Sequence, residues 1–217
     1  MPKKQKQRFQ RRPAYRESAS RILVITEGTK TEPCYLNALL AYLQITPQRV
    51  VVQPSRGSDP ITVVDTATEM VKSNKSARNP DYDAIWLVMD TECDRVHLPE
   101  ALDKARAHQY NVAISAPCIE YWFILHFTYT TKYMETYAEV ERELRKHYAD
   151  YSKGNLDPRV LTERTETAMK NAKLVRQNQA GTNTDYPKTD VDLLVASIQS
   201  QSGSAGGEEI CASSLSG

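Results

Sequence analysis

Five acidic side chains stand where this chain could do chemistry: Glu27, Asp90, Glu92, Asp94 and Glu120. Each lies at or just beyond the end of a short apolar run. Arg21-Ile-Leu-Val-Ile-Thr-Glu-Gly-Thr-Lys-Thr-Glu-Pro33 leads into Glu27, a glycine and a helix start. Ala84-Ile-Trp-Leu-Val-Met89 ends on Asp90-Thr-Glu-Cys-Asp94, and Asn111-Val-Ala-Ile-Ser115 passes through Pro117 to Glu120. Carboxylates held together repel one another and lose hydration, a cost that protons or a cation remove. Hard oxygen donors select Mg²⁺ or Mn²⁺. Such an ion orients a phosphate, activates water and stabilises a leaving oxygen, so the chemistry expected is metal-dependent phosphodiester cleavage with Glu27, Asp90, Glu92 and Asp94 as ligands.

Each residue also has a plainer reading. Glu27 and Asp90 directly follow buried runs, where an unpaired charge is costly, and Glu120 opens an apolar helix; all three therefore favour a site. Glu92 and Asp94 could instead form a turn. Glu32 is explained by the positive end of a helix dipole. Lys30 and the Gly28 backbone could hold a phosphate beside that helix start, or Lys30 could face solvent. His126, among aromatics, is a candidate base but fits a hydrogen-bonded core histidine better, and His97 is a similar case.

The elements that must position these groups follow from pattern. Ile22–Ile25 reads as a fully buried strand, and a helix from about Pro33 to Leu43 presents Leu36, Leu39, Leu40 and Leu43 on one face. Val50–Val52 is a second strand. Asp59 then caps a helix with Pro60 in its first turn and Ile61, Val64, Ala67 and Val71 as its stripe. Ala84–Met89 is the third strand, Pro99 to His108 a helix and Val112–Ser115 the fourth strand. This alternation predicts an α/β fold with a parallel, doubly wound sheet of four strands. Such sheets bind ligands beyond the carboxyl ends of their strands, where the acids stand. Cys118–Phe127 reads as a buried helix. Tyr133–Tyr148 and about Pro158–Gln177 are charged helical stretches, and Asp190–Ile198 is a last helix capped by Thr189.

With 217 residues, one main domain is expected over 21–198, with a core at 21–130 and a helical extension at 131–198. The near-neutral total hides an asymmetry. Residues 1–21 hold eight basic side chains, Lys3, Lys4, Lys6, Arg8, Arg11, Arg12, Arg16 and Arg21, against Glu17; the arm is +7, so a net +1 leaves −6 elsewhere. An arm so poor in apolar residues should be flexible and able to fold onto nucleic acid, unless it only aids solubility. The Ser/Gly-rich tail at 199–217 is expected to be disordered. Cys34, Cys93, Cys118 and Cys211 include no CxxC pair, which argues against zinc and a disulfide framework. Nothing reads as a signal peptide or a bilayer-spanning run, so the expected location is the cytoplasm.

Three stretches resemble the RloB-like family, which is grouped with Toprim-fold proteins. They are Ile25-Thr-Glu-Gly-Thr-Lys-Thr-Glu-Pro33, Trp86-Leu-Val-Met-Asp-Thr-Glu92 and Ala116-Pro-Cys-Ile-Glu-Tyr-Trp-Phe-Ile-Leu-His-Phe127, with an echo at Asp190–Val195. The resemblance implies a Toprim-like sheet with Glu27 as the glutamate after the first strand and Asp90 opening the Asp-x-Asp pair. Glu92 stands where that pair has its second Asp, with Asp94 two residues on, and Ala116 stands where the family usually has Asn. The resemblance further implies a nuclease of anti-phage defence, near an ATPase partner, acting on DNA or on RNA such as tRNA. A homo-oligomer is compatible with the sequence. The rival readings are a non-catalytic nucleic-acid-binding or regulatory subunit and phosphoryl transfer to a small molecule; no P-loop or dinucleotide glycine pattern supports the latter.

Overall fold

Every residue of β1 (Ile22–Thr26) is buried, because this strand runs through the middle of a sheet covered on both faces. The computed structural model describes residues 20–91, 96–180 and 186–201. After β1 come α1 (Thr31–Tyr42), β2 (Val50–Pro54), α2 (Pro60–Ser76), β3 (Ala84–Asp90), α3 (Leu98–Ala107) and β4 (Asn111–Ala116). The helical region follows as α4 (Glu120–Leu125), α5 (Tyr137–Leu144), α6 (Arg159–Thr162) and α7 (Thr165–Ala180), then β5 (Lys188–Thr189) and α8 (Val191–Gln199). The arm residues Lys3, Lys4, Lys6, Arg8, Arg11, Arg12 and Arg16, the acids Glu92 and Asp94, and the tail beyond 201 lie outside the described residues.

The sheet order is β2-β1-β3-β4-β5. The first four strands are parallel, as the alternation predicts, and β5 adds a fifth, pairing antiparallel with β4 through Ser115 opposite Thr189 and Ala116 opposite Lys188. Two residues leave no periodic trace in a sequence, which is why pattern alone gives four strands. Alternate side chains of β1 enter different cores. Ile22 and Val24 pack with Trp86, Val88 and Ala113 under α1, α4, α5, α7 and α8; Leu23 and Ile25 pack with Leu87 and Met89 under α2 and α3. Burial on both faces explains the unbroken apolar runs.

Side-chain caps set the starts of α2 and α5. Asp59 accepts the Thr62 N–H at 3.0 Å and Pro60 occupies the first turn of α2. α5 begins later than the sequence reading, at Tyr137, on a capping box in which Thr136 and Glu139 each bind the other's backbone. The stretch predicted from Pro158 divides into α6 and α7, where the Thr165 hydroxyl donates to the Thr162 carbonyl at 2.8 Å, a local bond that competes with continued helix. The extension shares the larger core: Val140, Leu144, Tyr151, Leu161, Ala168 and Val175 are buried with Ile22 and Val24. Among the described residues, no helix is long and apolar enough to cross a membrane.

Candidate functional site

β1 and β3 are adjacent, yet the chain leaves them in opposite directions, β1 through α1 to β2 on one side and β3 through α3 to β4 on the other. Their carboxyl ends therefore flank the crevice at which open α/β sheets bind ligands. Glu27 follows β1 and Asp90 ends β3. The Glu27 amide extends the ladder by donating to the Val88 carbonyl at 3.0 Å, and its carboxylate Oε2 accepts the Asp90 N–H at 3.0 Å. Residues 63 positions apart thus meet at one point.

The turn from β1 into α1 brings in a third carboxylate. The Thr26 hydroxyl donates to the Gly28 carbonyl at 2.8 Å, and the Gly28 amide donates to Glu32 Oε1 at 3.1 Å. The Gly28 amide, expected from sequence to face a phosphate, is thus engaged by Glu32. A Cβ at residue 28 would collide with the Glu32 carboxylate, so a side chain there would push that carboxylate off this amide. Lys30 is the α1 N-cap residue and makes no side-chain cap bond, so the folded-back Glu32 supplies the negative charge at this helix end.

Glu120 opens α4 and is 1% exposed. Its Oε1 accepts the hydroxyl of Tyr151, also buried, at 2.6 Å. Tyr151 leads into the turn between α5 and α6, where Lys153 sets its ammonium 4.4 Å from the centre of the Tyr137 ring. Glu27, Glu32, Asp90 and Glu120 line one cavity of about 590 Å³, together with the exposed Lys30, Ser58, Lys153, Gly154 and Asn155 and the half-buried Gly57.

Burial dominates the electrostatics, and the crowding of like charges adds to it. Burial raises the Asp90 carboxyl well above its ordinary range, and Glu32, Glu120 and Glu27 raise it further. Burial also raises Glu32, with Glu120 adding to the effect against the opposing backbone amides. Asp90 Oδ1 is sealed from solvent and has no hydrogen-bond partner among the described residues. Such an orphaned oxygen is what a hard cation would satisfy. Carboxylate donors suit Mg²⁺ or Mn²⁺, although no three acids among the described residues converge into a complete ligand set, and Glu92 and Asp94 lie beyond them. The Cys118 thiol beside these acids is raised by burial and by Glu120, which keeps it neutral and unsuited to nucleophilic attack.

Residues 22–198 match the profile of RloB-like proteins. The chain belongs to the RloB-like protein family. Searches of curated proteins and of solved structures each returned no match. In this RloB-like chain the matched span takes in the sheet, all four cavity carboxylates and the extension that carries Tyr151 and Lys153.

The structure brings together Glu27, Asp90, Glu120 and Lys30 of the residues read from sequence, and leaves two histidines apart. His126 is not among the cavity-lining residues. Its Nδ1 lies 3.0 Å from the Trp122 carbonyl and its Nε2 3.2 Å from the Tyr35 hydroxyl, so both ring nitrogens are engaged. Burial lowers it to about 3, which keeps it neutral. His97 stands at the start of α3 with Nδ1 3.5 Å from Asp59 Oδ1. Sequence reasoning set Glu32 aside and missed Tyr151, Tyr137 and Lys153. Glu32 had a signal in its closeness to Glu27 around a glycine; the other three come from the extension, and nothing in their spacing ties them to the strand ends.

Proposed function

We propose that this RloB-like chain is a metal-dependent phosphodiesterase acting on DNA or RNA. The observation that carries the reading is the meeting of Glu27 with Asp90 at the sheet crevice, in a cavity also lined by Glu32 and Glu120. Glu27 and Asp90 would hold Mg²⁺ or Mn²⁺, with Glu92, Asp94 and Glu120 as further donors; when bound, the ion supplies Lewis acidity and a water acidified toward neutral pH. The chain supplies preorganisation. Glu27 is steadied by the Asp90 amide and Glu120 by the Tyr151 hydroxyl, so neither carboxylate must reorganise to meet a ligand. Lys30 at the edge offers a positive charge to a phosphate.

Lys3, Lys4, Lys6, Arg8, Arg11, Arg12 and Arg16 would recruit the polyanion, with an affinity that falls steeply as salt rises. The family resemblance supports extending the reading to anti-phage defence alongside an ATPase. The test is incubation of the pure full chain with labelled DNA and RNA, tRNA included, in Mg²⁺, Mn²⁺ or EDTA, beside Asp90→Asn. A product that needs the metal and is lost in the variant supports the reading; equal cleavage by the variant removes it.

A second reading, a non-catalytic nucleic-acid-binding or regulatory subunit, is favoured by the incomplete ligand set among the described residues. Calorimetry separates the two: tight nucleic-acid binding with no uptake of Mg²⁺ or Mn²⁺ supports the subunit reading.

A further inference from the structure

The cavity carries a charge problem that the strand-end acids do not solve. Four carboxylates line it, and one divalent cation offsets only two negative charges, so a phosphodiester entering over that ion still meets a negative floor unless protons or other cations are present. Positive charge at the entrance resolves the conflict, and two lysines stand there. Lys30 comes from the β1–α1 turn and Lys153 from the turn between α5 and α6.

The second turn is built against the first. Gly154 has φ +81°, a backbone state that glycine adopts freely, and a Cβ there would lie 3.5 Å from Lys30 Cδ, so the turn passes directly over the Lys30 stem. One end is moored by Tyr151, whose hydroxyl binds Glu120 on the cavity floor. Lys153, two residues on, rests its ammonium on the Tyr137 ring, which limits where the charge can go while leaving the side chain exposed. The wall of the cavity is thus tied to its floor, and a lysine is set beside Lys30 at the edge.

Building on the phosphodiesterase reading, we propose that Lys153, paired with Lys30, forms the phosphate-binding edge of the site, and that the Ser152–Asn155 turn is the substrate-facing wall contributed by the helical extension. Lys153 is then a binding residue for a phosphate oxygen. The alternative, that it serves only as a counter-ion to the cavity acids, makes a different prediction, because a counter-ion's loss would change cation affinity and leave phosphate affinity alone.

The probe is thymidine 3′,5′-bisphosphate, which carries two phosphates and no internal phosphodiester to cleave. It is titrated into the full chain with Mn²⁺ and again with EDTA, using wild type, Lys153→Ala and Lys153→Arg, and Mn²⁺ alone is titrated into each protein. The expected result is bisphosphate affinity roughly tenfold lower in Lys153→Ala, the scale of one charge-assisted hydrogen bond, and largely restored in Lys153→Arg, with Mn²⁺ affinity equal or higher in Lys153→Ala. Equal bisphosphate affinity in wild type and Lys153→Ala overturns the inference, as does absence of binding to wild type in both buffers. Failure of wild type to take up Mn²⁺ instead counts against the metal-dependent reading; bisphosphate binding in EDTA that still depends on Lys153 upholds the phosphate edge.

Discussion

The two ends of α4 carry buried polar groups of opposite character. Glu120 at its start and His126 just past its end are each 1% exposed, six residues apart in one apolar segment. At the His126 end both histidine nitrogens have partners and Asn171 donates to the Leu125 carbonyl at 2.8 Å, and of the polar groups there the neighbouring Trp122 Nε1 is left without a partner among the described residues. At the Glu120 end like charges face a cavity, and Asp90 Oδ1 has no hydrogen-bond partner among the described residues. Both ends are buried, and only the Glu120 end gathers like charges around a cavity. A satisfied buried group specifies packing, whereas an unsatisfied one opening on a cavity marks where a ligand completes the chemistry.

The sharpest way to break this contrast is to neutralise the acidic end. Asp90→Asn and Glu27→Gln should each reduce metal-dependent cleavage by about a thousandfold or more, read as single-turnover rate. In metal-free protein Asp90→Asn should unfold at a higher temperature than wild type, because it removes one of the repelling charges. Loss of activity together with loss of fold would place Asp90 in the same class as His126.

The opposite end should respond the other way. His126→Leu leaves the Tyr35 hydroxyl and the Trp122 carbonyl without this partner and should lower unfolding free energy by about 2 to 4 kcal/mol, measured by urea denaturation. Metal affinity of the folded variant should equal that of wild type. A selective loss of cleavage with stability intact would bring His126 into the chemistry.

The pH dependence separates the ends by sign. Asp90 is raised on folding, so in metal-free protein its contribution to stability is present below its ordinary value of 3.8 and is lost as pH rises through the raised folded value. His126 is lowered from 6.5 to about 3, so its contribution is present above 6.5 and is lost as pH falls toward 3. Asp90→Asn should flatten the first slope and His126→Gln the second in unfolding free energy measured across pH. Mg²⁺ should raise the melting temperature more at about pH 8 than at about pH 5, where protons compete for the same oxygens.

The smallest effect tests the link between extension and floor. Tyr151→Phe removes the hydrogen bond to Glu120 and should cost about 1 kcal/mol of stability. Its effect on cleavage should be well below that of Asp90→Asn.

What the sequence made legible follows from range. β1, β3 and the acids that end them were readable because a buried parallel strand is a continuous apolar run and an acid at its end breaks the pattern abruptly. The Asp59 cap of α2 was readable for the same local reason. β5 was not, since two residues carry no period, and its pairing with Ser115 and Ala116 is decided by tertiary packing more than 70 positions away in sequence. Glu32 was discounted because the helix dipole accounts for it; the structure adds that it also faces Asp90 and Glu120. Tyr151 and Lys153 could not be seen at all, because a tyrosine and a lysine in a polar loop have no signature until the fold brings that loop to the strand ends.

The most direct test of the shared-cation claim is an anomalous difference map from crystals of the full chain grown with Mn²⁺. The expected result is a peak bound by carboxylate oxygens of Glu27 and Asp90. Well-ordered Glu27 and Asp90 side chains with no peak between them at saturating Mn²⁺ would contradict it.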